Sequence, residues 1–251
     1  MPARYIVAVT DSPAAEAARS WAELHAEDNG WPVVAVHVTP DRHRERSDST
    51  PVPHEGSVLL HGSIPAALAG FVRDEDVLVI GTDKTGFVHT RVFGSRGLQI
   101  VAATPSSVAV IPAVDLRFRS GVVAGIDRPH TAALIARTAA AEATARSETL
   151  QLIHSTFAGI IPAEIDANES VLDSAADAAR QSWPELTVRT RTTPRPSAEA
   201  LLDASRTAAL LVLGPGKGDR EALGTVLHDV LTNINCPVLI VREKTGPPPA
   251  R

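Results

Sequence analysis

Short runs of Val, Ile and Leu recur along the chain, and Ala-rich stretches of helical length separate most of them. Val and Ile favour strands, while Ala and the straight-chain residues favour helices. Near-continuous apolar runs are typical of buried parallel strands, and their alternation with helices indicates βαβ units. The predicted strands are 5–9, 33–38, 57–61, 77–80 and 108–111 in the first half, and 122–126, 150–154, 186–190, 210–213 and 238–241 in the second.

The second half of the chain repeats the order of the first. The segments YIVAVTDSP and VVAGIDRP each contain a strand, then Asp, then a Pro that suits the first turn of a helix. The number of residues between matched positions of the two halves rises from 117 to 133 along the chain, so the second half has gained 16 residues. It then falls from 133 to 130, so the second half has later lost three. These offsets indicate a duplicated domain. Matched residues are separated by 116 for Asp11 and Asp127, 117 for His37 and His154, 133 for Gly81 and Gly214, and 130 for Gly94 and Gly224.

The boundary between the two copies is predicted near residues 112–121. Residues 39–56 are charged and contain Pro, so we expect a surface loop there. The corresponding region of the second copy, 155–184, is longer and contains a sequence typical of a helix. The predicted division is a domain at 1–114, a domain at 119–243 and a disordered tail at 244–251.

Composition and charge exclude several classes of protein. Of the 251 residues, 44% are hydrophobic and 21% charged, which is typical of a globular protein. A formal net charge of −5 argues against a sequence-independent nucleic-acid binder. The sequence contains neither an apolar run of membrane-spanning length nor a signal-peptide pattern, and its single cysteine, Cys236, fits a reducing compartment. We therefore expect a soluble cytoplasmic protein.

Four positions in each half are expected to meet at one edge of the sheet. In parallel α/β sheets, ligands bind beyond the carboxyl ends of the strands, where the strand order reverses. A Gly after the fourth strand allows close backbone approach, and a later Gly followed by Ser or Thr can begin a helix whose N–H groups bind an anion. The expected positions are Asp11, Val38, Gly81 and Gly94-Ser95 in the first half, and Asp127, His154, Gly214 and Gly224-Thr225 in the second.

These features resemble the universal stress protein family, in a tandem arrangement of two UspA-type domains that covers about residues 3–242. The resemblance implies two Rossmann-like domains of the adenine nucleotide alpha hydrolase-like type, each a five-stranded parallel sheet with helices on both faces. ATP-binding members carry G-x2-G-x9-G-(S/T) after strand four, and they hold the adenosine part at the strand-one Asp and the end of strand two. The cofactor-binding residues implied for this chain are Thr10, Asp11, Val38, Ile80, Gly81, Lys84, Gly94, Ser95, Arg96, Asp127, Gly214, Gly216, Lys217, Gly224 and Thr225.

Both halves depart from the family motif. In the first half the spacing is intact, but Lys84 occupies the position of the second Gly. A Lys there adds backbone strain of about 1–2 kcal/mol if that position has a positive φ, although its charge could also neutralise a phosphate. In the second half only nine residues separate Gly214 from Gly224, three fewer than in the motif. We favour the first half as the nucleotide site because its spacing survives.

Other interpretations of the same residues stay open. Asp11 and Asp127 are as well suited to cap a helix as to contact a ligand, and Gly81 and Gly214 could be ordinary turn glycines. His37 recurs as His154 at a strand end, where a structural role is expected, and no catalytic or metal-ligand spacing is found. The alternative function is a degenerate UspA-type scaffold or interaction protein that binds no nucleotide.

The resemblance also implies a ligand and an assembly. The ligand is ATP or AMP, with or without Mg²⁺, and it is regulatory, so we expect no enzyme activity beyond incidental ATP hydrolysis. The two domains are expected to form an intramolecular pseudo-dimer through their last strands, 107–111 and 237–241, by strand pairing or by face-to-face packing. Homodimers of the chain are a further expectation, and neither nucleic acid nor membrane is expected as a partner.

Overall fold

The protein is an alternating α/β structure. The computed structural model describes residues 3–39, 56–83, 95–157, 165–216 and 223–244, with the backbone alone for Ser95 and for 165–170. Most of the predicted loop at 39–56 and of the predicted tail at 244–251 therefore lies outside the described residues. The strands are β1 (Tyr5–Ala8), β2 (Val33–Thr39), β3 (Val58–His61), β4 (Val77–Thr82), β5 (Ser107–Pro112), β6 (Val122–Gly125), β7 (Leu150–Ser155), β8 (Val188–Thr193), β9 (Leu210–Leu213) and β10 (Val238–Ile240). The helices are α1 (Pro13–Asn29), α2 (Ile64–Phe71), α3 (Ser95–Ala103), α4 (Pro129–Ala145), α5 (Ile165–Ser182), α6 (Ser197–Ala204) and α7 (Thr225–Thr232).

The described strands form one sheet in the order β3-β2-β1-β4-β5-β10-β9-β6-β7-β8. Pairing is parallel within each half, and the halves join through an antiparallel pair in which Ala109 of β5 lies opposite Leu239 of β10. The prediction of two parallel five-stranded halves is confirmed, and so is their association through the last strands. The strand order reverses between β1 and β4 in the first half and between β6 and β9 in the second, which places a crevice at each reversal.

Helices cover both faces of this sheet. Along β1, Tyr5 and Val7 point to one core while Ile6 points to the other, as the period of two along a strand requires. The first core contains buried residues of α1, α4 and α5, and the second contains buried residues of α2, α3, α6 and α7. The α1 side is thus continuous across the two halves, with α1 and α4 in one hydrophobic cluster.

One strand lies later in the chain than predicted. The sequence predicts a strand at 186–190, but β8 spans Val188–Thr193. Leu186 instead belongs to a turn, where its N–H donates to the carbonyl of Trp183, and its side chain packs against the first core. Leu186 is therefore apolar because it packs against the core from a turn. The exposed residues of β8 are polar and show no alternation of apolar and polar positions that would predict a strand.

Strand register places the two copies one residue away from the predicted match. Tyr5 pairs with Val33 and Val122 pairs with Leu150, a constant offset of 117 between the halves. By this register the residue that corresponds to Asp127 is Thr10, not Asp11. Because α1 begins at Pro13 and α4 at Pro129, an offset of only 116, the loop between β1 and α1 has one residue more than its counterpart.

The caps of these two helices do not use the predicted aspartates. Ser12 is the N-cap of α1, and its hydroxyl accepts a hydrogen bond from the N–H of Ala15 at 3.2 Å. Arg128 is the N-cap of α4 and makes no capping hydrogen bond through its side chain. The capping interpretation of Asp11 and Asp127 is therefore wrong at the N-cap position itself, and Asp127 is left at the rim of the crevice.

Candidate functional site

A cavity of about 320 Å³ opens at the carboxyl ends of β6, β7 and β9, where the strand order of the second half reverses. Ligands bind at this position in open α/β sheets, and the volume is at the lower end of the range for small-molecule sites. The lining residues come from the carboxyl ends of these strands, from the turns after β6 and β9, and from the N-terminal parts of α4, α6 and α7. The cavity is therefore assembled from segments that are far apart in sequence.

The inner wall of the cavity is apolar. Ile153, Leu201 and Leu213 line it and belong to the second hydrophobic core. Gly125 lies between them, and a Cβ at that position would be 2.7 Å from the Cδ2 atom of Leu213 and 3.2 Å from Leu201. The wall is thus packed tightly against the end of β6, and it offers a flat apolar group a surface out of water.

The rim of the cavity is polar. Asp127 is 69% exposed at its side chain, and its Oδ2 atom accepts a hydrogen bond from Nε of Arg128 at 3.3 Å. His130 and Thr131, from the first turn of α4, line the same side. On the opposite side, the hydroxyl of Ser155 donates to the carbonyl of Arg195 at 2.6 Å. The rim therefore carries both donors and acceptors around the apolar interior.

Two glycines bring the end of β9 against the start of α7. Gly216 has φ of +82°, and a Cβ on it would lie 3.1 Å from the Cα of Gly224. Gly224 is the N-cap of α7 and has no capping side chain, and Thr225 and Val226 from the first turn line the cavity. Uncapped N–H groups at a helix start attract anions. Gly216 and Gly224, the described ends of this segment, therefore lie beside each other at a helix N-terminus.

In the first half, the first turn of the helix after β1 lies directly against β4. A Cβ on Gly81 would lie 2.1 Å from the carbonyl oxygen of Ala14 and 2.8 Å from the backbone nitrogen of Ala15, so the first turn of α1 is in contact with β4. At Gly214 the nearest atom to a Cβ is Cδ1 of Ile135, at 3.0 Å, from the second turn of α4. The first turn of α1 thus occupies the space beside Gly81 of β4, whereas the first turn of α4 leaves the corresponding space beside Gly214 open.

The predicted site residues divide by half. In the first half Thr10 and Arg96 are exposed, Val38 is half-buried in β2, Ile80 is buried in β4, and Gly81 contacts α1. Asp11 is exposed in the loop after β1, and Ser95 begins α3. In the second half, the structure brings five predicted residues together around the cavity: Asp127, Gly214, Gly216, Gly224 and Thr225. The predicted residues Lys84, Gly94 and Lys217 lie outside the described residues.

Sequence reasoning missed several polar residues of the rim. Arg128, His130 and Thr131 follow Asp127 directly, and their positions after a strand end could have signalled a site residue. Ser155, the last residue of β7, lines the cavity, although the sequence pointed to His154 at this strand end. His154 is instead buried and donates from Nδ1 to the carbonyl of Ile126 at 2.7 Å. His37 is within 3.3 Å of the carbonyl of Val9 in the same way. The structural role predicted for the two histidines is therefore supported.

The described ranges contain no group of three or more His, Cys, Asp or Glu residues that could hold a metal ion. Among the helices in those ranges, none is long and apolar enough to cross a membrane. The thiol of Cys236 is buried, and burial raises its pKa to about 12, so it is not an activated nucleophile.

Comparisons with known proteins agree with this fold. Residues 120–242 match the model of the universal stress protein family. A universal stress protein of Mycobacterium tuberculosis strain H37Rv is 29% identical over 208 residues, which cover 75% of this chain and 66% of that relative. A second universal stress protein of the same strain is 27% identical over 142 residues, which cover 49% of this chain and 48% of the relative. The chain thus spans just under two thirds of the first relative and about half of the second.

Solved structures match the chain over almost its full length. A universal stress protein from Archaeoglobus fulgidus superposes with a TM-score of 0.70 at 12% identity and covers 96% of each chain. A protein of unknown function from Pseudomonas aeruginosa superposes with a TM-score of 0.61 at 14% identity, covering 95% of this chain and 92% of that one. At these identities the likeness concerns the fold.

The fold is that of a duplicated α/β protein whose strand order reverses once in each half. The predicted resemblance of the chain to a tandem universal stress protein is confirmed by the family match of its second half, by its relatives and by its structural neighbours.

Proposed function

We propose that this chain binds an adenine nucleotide, ATP or AMP, as a regulatory ligand in the cavity of its second half. The observation that carries the proposal is the convergence of Gly214, Gly216, Gly224 and Thr225 on one 320 Å³ cavity, with Asp127 at its rim. The glycine motif of nucleotide-binding universal stress proteins places phosphates at the corresponding positions. The loss of three motif residues therefore does not remove the cavity from this half.

The chemistry of the walls supports this ligand class. The apolar surface of Ile153, Leu201 and Leu213 fits a purine, which buries its flat faces away from water. The turn at Gly216 and the uncapped start of α7 offer backbone N–H groups to phosphate oxygens. The exposed carboxylate of Asp127 can accept hydrogen bonds from hydroxyl or amino groups of the ligand. Each part of a nucleotide thus has a complementary part of the rim or wall.

The first half remains the site that motif spacing favours, and that prediction concerns Lys84 and Gly94, outside the described residues. The described contacts favour the second half, because backbone atoms of Ala14 and Ala15 occupy the space beside Gly81. We propose that the first half acts as the degenerate, non-binding partner of the pair. The alternative function, a scaffold that binds no nucleotide, then applies to the first half alone. The experiment described next tests whether it applies to both halves.

Isothermal titration of the full chain with ATP and with AMP, each with and without Mg²⁺, tests the proposal. Asp127→Ala should weaken binding about 10-fold to 100-fold, because a hydrogen bond to a charged group contributes about 1.5–3 kcal/mol. The matched control is Asp11→Ala, which removes the aspartate predicted for the first half and should leave the affinity unchanged. Thermal denaturation adds a second readout, since ligand at 100 times its dissociation constant stabilises by about 2.7 kcal/mol.

The outcomes separate the alternatives. Weaker binding in Asp11→Ala with full binding in Asp127→Ala moves the site to the first half. No heat and no stabilisation at millimolar ATP or AMP supports the scaffold function for both halves. Release of phosphate from bound ATP at a rate above the protein-free blank would contradict a purely regulatory ligand.

A further inference from the structure

A buried polar cluster joins the two halves on the α1 side of the sheet. His25 of α1 is 8% exposed, and its Nε2 atom lies 3.1 Å from Oε2 of Glu142 on α4 and 2.7 Å from a terminal nitrogen of Arg146, the C-cap residue of α4. Arg146 in turn donates to Oε2 of Glu142 at 2.5 Å and to the Glu142 backbone carbonyl at 2.8 Å. Glu142 and Arg146 thus form a pair at the end of α4, and His25 reaches that pair from the other half of the chain.

The other ring nitrogen fixes the tautomer of His25. Its Nδ1 atom lies 2.7 Å from the backbone carbonyl of Trp21, and a carbonyl only accepts, so Nδ1 carries a hydrogen. In the neutral ring Nε2 is therefore a bare acceptor, and in the protonated ring it is a donor. The two neighbours of Nε2 have opposite requirements: Arg146 can only donate to it, and the Glu142 carboxylate can only accept from it. Protonation therefore decides which of the two is a hydrogen-bond partner.

We propose that His25 is a proton-operated link between the two halves, which accepts from Arg146 when neutral and donates to Glu142 when protonated. In the neutral state the link runs from the Arg146 guanidinium to the ring. In the protonated state the Arg146 nitrogen at 2.7 Å faces a like charge and must turn away, while the ion pair with Glu142 replaces it. The same helices stay in contact, but a different residue of α4 holds α1.

The groups around the ring permit this exchange. Burial would raise the pKa of Glu142, but the hydrogen bond and charge of a protonated His25, together with the charge of Arg146, outweigh it, so in that state the pKa of Glu142 lies below its ordinary value. From β1, Tyr5 lies with its ring 6.2 Å from the imidazole, and burial raises its pKa, so it stays neutral. On α1 itself, Asp28 acts on the same tyrosine.

Trp21 provides a spectroscopic signal of the proton. Its ring is stacked on His25 at 3.6 Å between centroids, with an interplanar angle of 23°. A protonated imidazole stacked on an indole quenches its fluorescence, whereas a neutral one does so weakly. Tryptophan emission of the full chain should therefore fall on acidification, in a transition that follows protonation of His25.

Four variants of the full chain test the assignment. His25→Gln should remove the fluorescence transition, and the matched control His37→Gln should keep it. Glu142→Gln removes the anion that favours the protonated ring, and Arg146→Met removes the cation that opposes it. Charges within 4–6 Å shift a midpoint by about one pH unit or more, so Glu142→Gln should lower the midpoint and Arg146→Met should raise it. A cluster that only packs the helices would give no opposite shifts.

A wild-type measurement covers the case in which His25→Gln does not fold. Long-range ¹H–¹⁵N spectra of the histidine-labelled chain report which ring nitrogens carry hydrogen at each pH. The ring that contacts a tryptophan indole should show only Nδ1–H at high pH and both N–H groups at low pH. A ring that keeps one state from pH 5 to 8, or midpoints that move in the same direction in Glu142→Gln and Arg146→Met, overturns the proposal.

Discussion

The contact between Gly81 and α1 makes a quantitative prediction about the first half. Replacing Gly81 by Ala places a Cβ 2.1 Å from the carbonyl oxygen of Ala14, whereas ordinary contact begins at 3.4 Å. The first turn of α1 must therefore withdraw from β4 by about 1.3 Å, the difference between these two distances. The atoms that clash are backbone, so no side-chain rotation relieves the contact.

The cost follows from what that withdrawal separates. Ala14, Ala15 and Ala18 are buried under α1 at 2%, 5% and 0% exposure, so their contacts with the sheet weaken together. Overpacking of a core costs about 1–3 kcal/mol, and we expect the upper end, about 3 kcal/mol, because a helix has to move. The lower entropy of the unfolded chain with Ala offsets only about 0.4–1 kcal/mol of this.

Gly214→Ala is the matched control in the second half. Its Cβ would meet Cδ1 of Ile135 at 3.0 Å, the end of a flexible side chain beside a cavity, so the expected loss is below about 1 kcal/mol. Urea denaturation followed by circular dichroism measures both variants, with stability taken from the midpoint at a constant slope. Equal losses in the two variants, or a Gly81→Ala midpoint like that of the wild type, would refute the close contact between α1 and β4.

Two further predictions concern buried ionisable groups. Asp76→Ala should lower the free energy of unfolding by about 3–5 kcal/mol in urea denaturation, because the carboxylate has no exposed side-chain surface and Arg4 donates to it at 2.6 Å. Burial would raise the pKa of Asp76, but hydrogen bonds from Arg4 and the Arg73 backbone hold it below its ordinary value. The ionised carboxylate therefore stabilises the fold at pH values above the ordinary carboxyl range, and this stabilisation is lost as pH falls through the folded-state pKa. Acid unfolding of Asp76→Ala should therefore lose this component, and an unchanged acid profile would contradict it. Burial raises the pKa of the Cys236 thiol to about 12, so iodoacetamide at pH 8 should label it only as fast as the protein unfolds, and labelling faster than unfolding would contradict its burial.

Apolar patterning predicted the sheet because the strands lie in its interior. Strands such as Leu210–Leu213 are buried along their whole length, so every residue is apolar and the run is unmistakable. The edge strand Val188–Thr193 carries Arg and Thr at four exposed positions, and the apolar signal near it came from Leu186 in a turn. Patterning thus identifies strands by their burial and is weakest at the edge, where one side of the strand meets water.

A difference between the helices was also readable from the sequence. Counting from their first prolines, Glu16 and Glu23 of α1 correspond to Ala132 and Ala139 of α4. The two alanines are buried in the core that includes α5, whereas the two glutamates are exposed beside a separate cavity of about 220 Å³. The two glutamates therefore indicated that this face of α1 is in contact with water, unlike the corresponding face of α4. Spacing of the glycines carried no such information.

The choice between the two halves depends on a quantity that motif spacing does not contain. Spacing favoured the first half, since Gly81 and Gly94 keep the distance of the motif and the second half is three residues short. Our proposal of the second half rests instead on where the helix after the first strand begins. The offset falls from 117 to 116 between Asp127 and Pro129, so α1 starts one residue later relative to its strand, and its first turn lies against β4. A motif describes one wall of a site, and the opposite wall is set by a loop whose single additional residue changes no pattern of polarity.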